Sequence, residues 1–269
     1  MQAMRCATRL AAVLAALALA SAAPAAAQQS QSRLFEVTKS RTLRVCIYPG
    51  YYAIAYRDPA TGKLTGIDID LSQELGKELG AEVKYVETSF GTFIADLQSN
   101  KCDVGMFGIG VTLKRAQAVE FTTPYLQTGI YAVVRKGGKV ATWADIDKPG
   151  NSVAVTLGSY IEPFMKGYLK NAKVVSVAPP ATREQELMAR RVDAEIVDYP
   201  TAQKVTADFD WASTIEPPEK LLTTPFAYVV PPGDQVWLNF LNLFVDTIKR
   251  DGRLAAAAQR NGLGPIMAQ

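Results

Sequence analysis

Apolar and polar residues alternate from Leu43 to Tyr48, the two-residue period of a strand. Ile54–Tyr56 and Leu64–Ile67 flank a turn-rich cluster, Asp58 to Gly62, and predict a β-hairpin. The period then changes. Leu71, Leu75 and Leu79 recur four apart, one stripe of a helix that Asp70 is expected to cap and Gly80 to stop. Glu82–Val86 is the next strand, Phe93, Ile94 and Leu97 mark a short helix, and Val104–Gly108 is a buried strand. Tyr131–Val134 closes this unit at Arg135-Lys136-Gly137-Gly138. A second alternating unit follows, with strands at Val153–Thr156, Lys173–Val177 and Asp193–Val197 and helices at Tyr160–Leu169 and Arg183–Arg191. Phe226–Val230 is a further apolar strand, and Trp237, Leu241, Phe244, Val245 and Ile248 share one face of a closing helix. Strand–helix alternation in two blocks predicts an α/β protein of two lobes, each a mostly parallel sheet flanked by helices. The chain is expected to form lobe one from 28–133 and 227–269 and lobe two from 134–226. Gln28–Ser40 is polar and reads as a loose lead-in.

The first residues follow a different logic. Arg5 and Arg9 precede the apolar run Leu10–Ala20, and Ala25-Ala26-Ala27 is a small-residue cleavage site. This is the pattern of a secretory signal peptide over 1–27, and the run is shorter than the ~20 residues a membrane span needs. The expected location is therefore outside the cytoplasm. Cleavage would remove two basic residues from a balance of 29 basic against 26 acidic, leaving a near-neutral chain with no footprint for nucleic acid. The chain has no histidine, which excludes Ser-His-Asp triads, Cys-His pairs and His-ligated metal sites. No metal or cofactor is expected. Cys46 and Cys102 stand near the starts of two apolar runs. Spacing alone leaves two buried thiols or a disulfide open; export favours the bond, and we expect it.

No phosphate loop and no nucleophile elbow is present, and Gly105, Gly108 and Gly110 lack dinucleotide-motif spacing. Other segments carry a resemblance. They are the hairpin and helix start YRDPATGKLTGIDIDL (Tyr56–Leu71), DVGMFGIGVTLKRAQAVEFTTPY (Asp103–Tyr125), VAVTLGS (Val153–Ser159), VDAEIVDYP (Val192–Pro200), PFAYVV and KRDGRL. In this order, over nearly the whole chain past the leader, they resemble the amino-acid-binding family of periplasmic solute-binding proteins. The resemblance implies the two-lobed type II periplasmic-binding-protein fold, a small carboxylate-bearing ligand, a monomer, and partners in the membrane subunits of an ABC importer. A sensory role with the same closure stays open.

The same resemblance places Arg115 where the ligand α-carboxylate binds; a guanidinium suits a carboxylate because two parallel N–H bonds hold it. Asp198, at a strand's C-terminal end, falls where the ligand ammonium is accepted. Phe90 and Tyr51 fall on the positions that sandwich the side chain, Gly108 and Gly110 on backbone contacts, and Ser159 on a turn that offers N–H and hydroxyl groups. Tyr48, Gly110 and Thr156 depart from the family's small polar, threonine and basic or polar residues, which opens room for a bulkier or less cationic ligand. Glu195 stands mid-strand in a run expected to be buried, where an unpaired carboxylate is costly, so it is expected to reach a lobe face or a cation. Gly158-Ser159-Tyr160-Ile161-Glu162-Pro163-Phe164 is also similar to cyclohexadienyl dehydratases, whose catalytic acid falls on Glu162. Tyr160 and Ile161 replace the threonine and asparagine beside it, so Glu162 reads instead as an exposed first-turn residue favoured by the helix dipole.

Overall fold

In the computed structural model, which describes residues 32–268, the strand periods resolve into two separate sheets. The expected leader over 1–27 lies outside the described residues. Helix α1 (Arg33–Ser40) replaces the loose lead-in expected there. Ser32 caps it, and Asp234 accepts Ser32 Oγ at 2.8 Å and Arg33 N at 2.6 Å. The anchor lies some two hundred residues along the chain, beyond the reach of a local pattern.

Strand β1 (Thr42–Ile47) is followed by a small sheet of β2 (Gly50–Tyr51), β3 (Ala55–Arg57) and β4 (Leu64–Thr65). Helix α2 (Ile67–Leu79) buries Ile67, Leu71, Leu75 and Leu79, the apolar stripe of the sequence. It starts at Gly66, so Asp70 lies inside its first turn rather than at its cap, and pairs with Arg260 at 3.0 Å. Then come β5 (Glu82–Glu87), α3 (Phe93–Gln98), β6 (Val104–Gly110), β7 (Glu120–Phe121) and β8 (Leu126–Thr128). The second unit holds β9 (Ile130–Arg135), β10 (Ser152–Thr156), α4 (Ile161–Tyr168), β11 (Lys173–Val177), α5 (Arg183–Met188), β12 (Ala194–Asp198), α6 (Tyr199–Asp208) and β13 (Ala212–Ile215). The chain returns through β14 (Thr224–Val230) to α7 (Gln235–Arg250) and α8 (Arg253–Arg260).

The first sheet has the order β5-β1-β6-β14-β7, with β8 also on β14; the second runs β11-β10-β12-β9-β13. In each, three neighbouring strands pair parallel; β14 in the first sheet and β9 in the second run against them, and β7, β8 and β13 pair antiparallel with those two. All of β9 lies in the second sheet, so the chain leaves lobe one at Gly129 rather than after residue 133. All of β14 lies in the first, so it returns before 224 rather than after 226. The apolar runs on either side of these points do not change character, because burial is equal in both sheets and only the hydrogen-bond partner switches. The closing helix α7 buries Trp237, Leu241, Phe244, Val245 and Ile248 and packs on α1 and α8 in lobe one. Cys46 and Cys102 are joined by a disulfide with Cα atoms 5.6 Å apart. It ties β1 to the segment entering β6, the neighbouring strand.

Candidate functional site

The C-terminal ends of β6 and β12 face each other across the lobes, where α/β sheets receive ligands. From lobe one, Arg115 follows β6 in a 3-10 turn. Its side chain is buried, donating Nη1 to Gly110 O at 2.8 Å and Nη2 to Gly158 O, in lobe two, at 3.0 Å. Phe90 and Phe93 lie against the cation at 5.8 and 5.3 Å. Burial pushes the guanidinium down to about 10, against the neighbouring Tyr160 and Tyr51. Among the described residues no carboxylate lies within ion-pair distance of Arg115. A largely desolvated cation with only carbonyl partners is costly, and it is an available bidentate site for an anion.

From lobe two, Asp198 ends β12 and caps α6, accepting Thr201 N with Oδ1 at 3.3 Å. Its Oδ2 accepts the hydroxyl of Tyr51, which comes from lobe one. Burial, with Asp198 beside it, holds the Tyr51 phenol well above its usual range. Asp198 thus already bridges the lobes, and an incoming ammonium must compete with a tyrosine hydroxyl. Tyr48 and Tyr51 each pack on Phe90, with ring centres 5.4 and 5.8 Å apart.

Gly110 is pressed against Tyr160: a Cβ there would stand 2.8 Å from the ring. Tyr160 also meets Phe226 at 5.7 Å, and the charges of both Arg115 and Asp198 act on its phenol, which burial holds well above its usual range. The buried Tyr160 hydroxyl and Ser159 Oγ have no hydrogen-bond partner among the described residues. Gly108 differs from expectation. Its left-handed φ of 63° sits at a register shift against β14, and its N–H donates to Asp68 Oδ2 at 2.8 Å. That amide serves the fold and is not offered to a ligand. The structure therefore brings Arg115, Asp198, Tyr51, Phe90, Tyr48, Gly110 and Ser159 to one cleft, with Gly108 behind its wall.

A cavity of about 50 Å³ remains at the Tyr48 end, between Phe90, Thr156, Leu157 and Pro179. A larger one, about 620 Å³, lies behind the hinge by Gly129, Lys220 and Pro265 and touches none of these residues. At the cleft's rim Lys204 on α6 sits over the rings of Tyr52 and Tyr56 in lobe one, at 4.8 and 5.2 Å.

Glu162 is buried, not exposed as expected. Its Oε2 accepts Gly158 N at 2.6 Å, and Oε1 accepts Lys166 Nζ and Ser176 Oγ, each at 2.6 Å. Burial raises its pKa, but Lys166, Ser176 and the Gly158 amide together hold it below the usual carboxylate range. Sequence reasoning missed Arg183, the largely buried first residue of α5, which donates Nη1 to Ile196 O on β12 at 3.2 Å. Glu195 lies 3.7 Å from Arg183 Nε. Nothing local marked Arg183, because its place depends on how α5 packs on β10 and β12.

The profile described as bacterial extracellular solute-binding proteins, family 3, matches residues 43–263. The chain is 27% identical to a cyclohexadienyl dehydratase of Pseudomonas aeruginosa over 88% of each chain. It is also 27% identical to the L-cystine-binding protein TcyJ of Escherichia coli over 74% of each. The solved structure of the ancestral amino acid-binding protein AncCDT-1, a precursor of cyclohexadienyl dehydratase, superposes with a TM-score of 0.78. That protein is 32% identical, over 85% of this chain and 99% of the other.

Proposed function

Since the chain belongs to family 3 of the bacterial extracellular solute-binding proteins, we propose that it captures an amino acid between its lobes in the periplasm and delivers it unchanged to an ABC importer. The observation that carries this reading is Arg115, a buried guanidinium with two carbonyl acceptors and, among the described residues, no carboxylate at ion-pair distance. An α-carboxylate completes it. Asp198, on the opposite lobe, takes the ammonium once Tyr51 yields, and Ser159 and Tyr160 offer hydroxyls that lack partners. A ligand held at both ends favours the closed form by the contacts made only there.

The relatives include a dehydratase, so turnover is the second reading. A general acid must carry a proton at working pH. Glu162 is held ionised by three donors, and it spends one oxygen on the Gly158 turn. That supports binding without chemistry.

The test is calorimetry on purified protein against an amino-acid panel. Arg115→Ala is expected to cost several kcal/mol of binding, because the ligand carboxylate would stay buried and unpaired. Undiminished affinity would remove Arg115 from the site. Arogenate and prephenate should be recovered unchanged; formation of phenylalanine or phenylpyruvate would transfer the reading to the dehydratase.

A further inference from the structure

Helix α6 holds lobe one at two points. At the inner point Asp198, its N-cap, accepts the hydroxyl of Tyr51. Lys204 forms the outer point, about 9 Å further along the helix at 1.5 Å per residue. Its Nζ lies 4.8 Å from the ring centre of Tyr52 and 5.2 Å from that of Tyr56. Those two rings meet edge to face at 5.5 Å, so the ammonium rests on a platform of both. The negative face of a ring attracts a cation within about 6 Å of its centre, and more so where water is partly excluded. The Lys204 side chain is 25% exposed, and Asp208, one turn on, pairs with the same Nζ and steadies it.

Both sides of this contact are firmly mounted. Tyr52 and Tyr56 belong to the turn and hairpin of β2 and β3. Ile67 N and Asp68 N, at the start of α2, donate to Ala53 O at 2.8 Å and Ile54 O at 2.9 Å, which fixes that turn to lobe one. Helix α6 packs on β9, β12 and β13 of lobe two. A link between the turn and α6 is therefore a link between the lobes.

The two points respond differently to ligand. Under the proposed function the ammonium takes Asp198 and Tyr51 yields, so the inner point opens as the site fills. Lys204, Tyr52 and Tyr56 lie outside the residues that receive the ligand, and the outer point stays made. We propose that Lys204 is a positioning residue for capture, which clamps the Tyr52–Tyr56 turn on α6 and keeps the lobes together while Asp198 changes partner. The exchange rests on the proposed function; the clamp itself does not. Burial works against the charge on Lys204, but Asp208 and Tyr56 outweigh it and hold the ammonium above the usual lysine range, so the clamp stays charged at neutral pH.

Small-angle X-ray scattering of the protein without added ligand tests the clamp. Lys204→Met keeps the length and removes the charge, whereas Lys204→Arg keeps a cation that stacks on aromatic faces. Lys204→Met is expected to show a larger radius of gyration than wild type, and Lys204→Arg to match wild type, all with cooperative melts. An unchanged or smaller radius in Lys204→Met overturns the inference, and so does a Lys204→Arg protein that behaves like Lys204→Met. Stopped-flow release of whichever standard L-amino acid binds then reads the consequence. It should be about threefold to tenfold faster from Lys204→Met, with little change in on-rate. An unchanged release rate overturns the positioning role. Binding of none of these amino acids, with the radii as expected, upholds the clamp and removes the amino-acid reading.

Discussion

Gly158 stands where the backbones of the two lobes approach each other. Its φ is 75°, and a Cβ built on it would lie 2.7 Å from Gly91 N and 2.8 Å from Gly91 Cα, backbone atoms of lobe one. Its carbonyl accepts from Arg115 and its amide donates to Glu162, so the turn is held from both sides. Gly158→Ala should cost about 1–2 kcal/mol in stability through the left-handed backbone. Its larger effect should be on closure, since the backbone it meets cannot move aside as a side chain would. We expect ligand affinity to fall at least tenfold, while the melting temperature drops by only a few degrees. Calorimetry and thermal melting on one preparation separate the two effects; unchanged affinity would show that the lobes need not approach this closely to hold ligand.

Among the elements, β1 and β6 carry the most constraint. β6 is buried along its whole length, its glycines admit β14 and Tyr160, and Arg115 hangs from its end. The Cys46–Cys102 bond fixes the segment entering this strand to its parallel neighbour across a sequence separation of 56. Loop entropy assigns such a cross-link about 4 kcal/mol. The double variant Cys46→Ala/Cys102→Ala is expected to melt about 10 °C lower, at about 2–4 °C per kcal/mol for a chain of this size. Differential scanning calorimetry checks it. A loss of under 2 °C would mean that packing of β1 against β5 and β6 alone holds the lobe.

Over the whole molecule, two deeply buried carboxyls set how stability depends on pH. Burial raises Asp68 to about 7, against hydrogen bonds from Tyr125 and Gly108, and raises Glu195 to about 8. Both start near 4 in the unfolded chain, so the folded state binds more protons between about pH 4 and 8. Their stabilisation is therefore complete below pH 4, is lost as pH rises through that window, and changes no further above it. Asp96 and Asp145 are held low by their partners and act with the opposite sign, but only as pH falls below about 4. Melting temperature is expected to decline from pH 5 to 8, and Glu195→Gln should flatten the upper part of the decline. A melting temperature that rises over this range would mean that both carboxyls ionise in the folded protein at little cost.

The chain order of strands and helices, the two-block alternation and the stripes of α2 and α7 were legible in the sequence, because each depends on a period of two or 3.6 residues that any window displays. The positions of Arg115 after a strand and of Asp198 at a strand's end were legible as well, through the segments that carry the family resemblance. What needed the tertiary structure were meetings between distant segments. Asp234 turns a polar lead-in into α1, Tyr51 takes the acceptor on Asp198, and Tyr160 lies on Gly110. Arg183 comes to Glu195 and Tyr48 only when α5 packs on its sheet. The lobe boundaries belong to the same class, since nothing in the burial pattern of β8 and β9 tells which sheet each joins, while their hydrogen-bond partners change sheet at Gly129. A local pattern records whether a side chain is to be buried. It does not record which other side chain it will be buried against, and the chemistry of this cleft lies in those pairings.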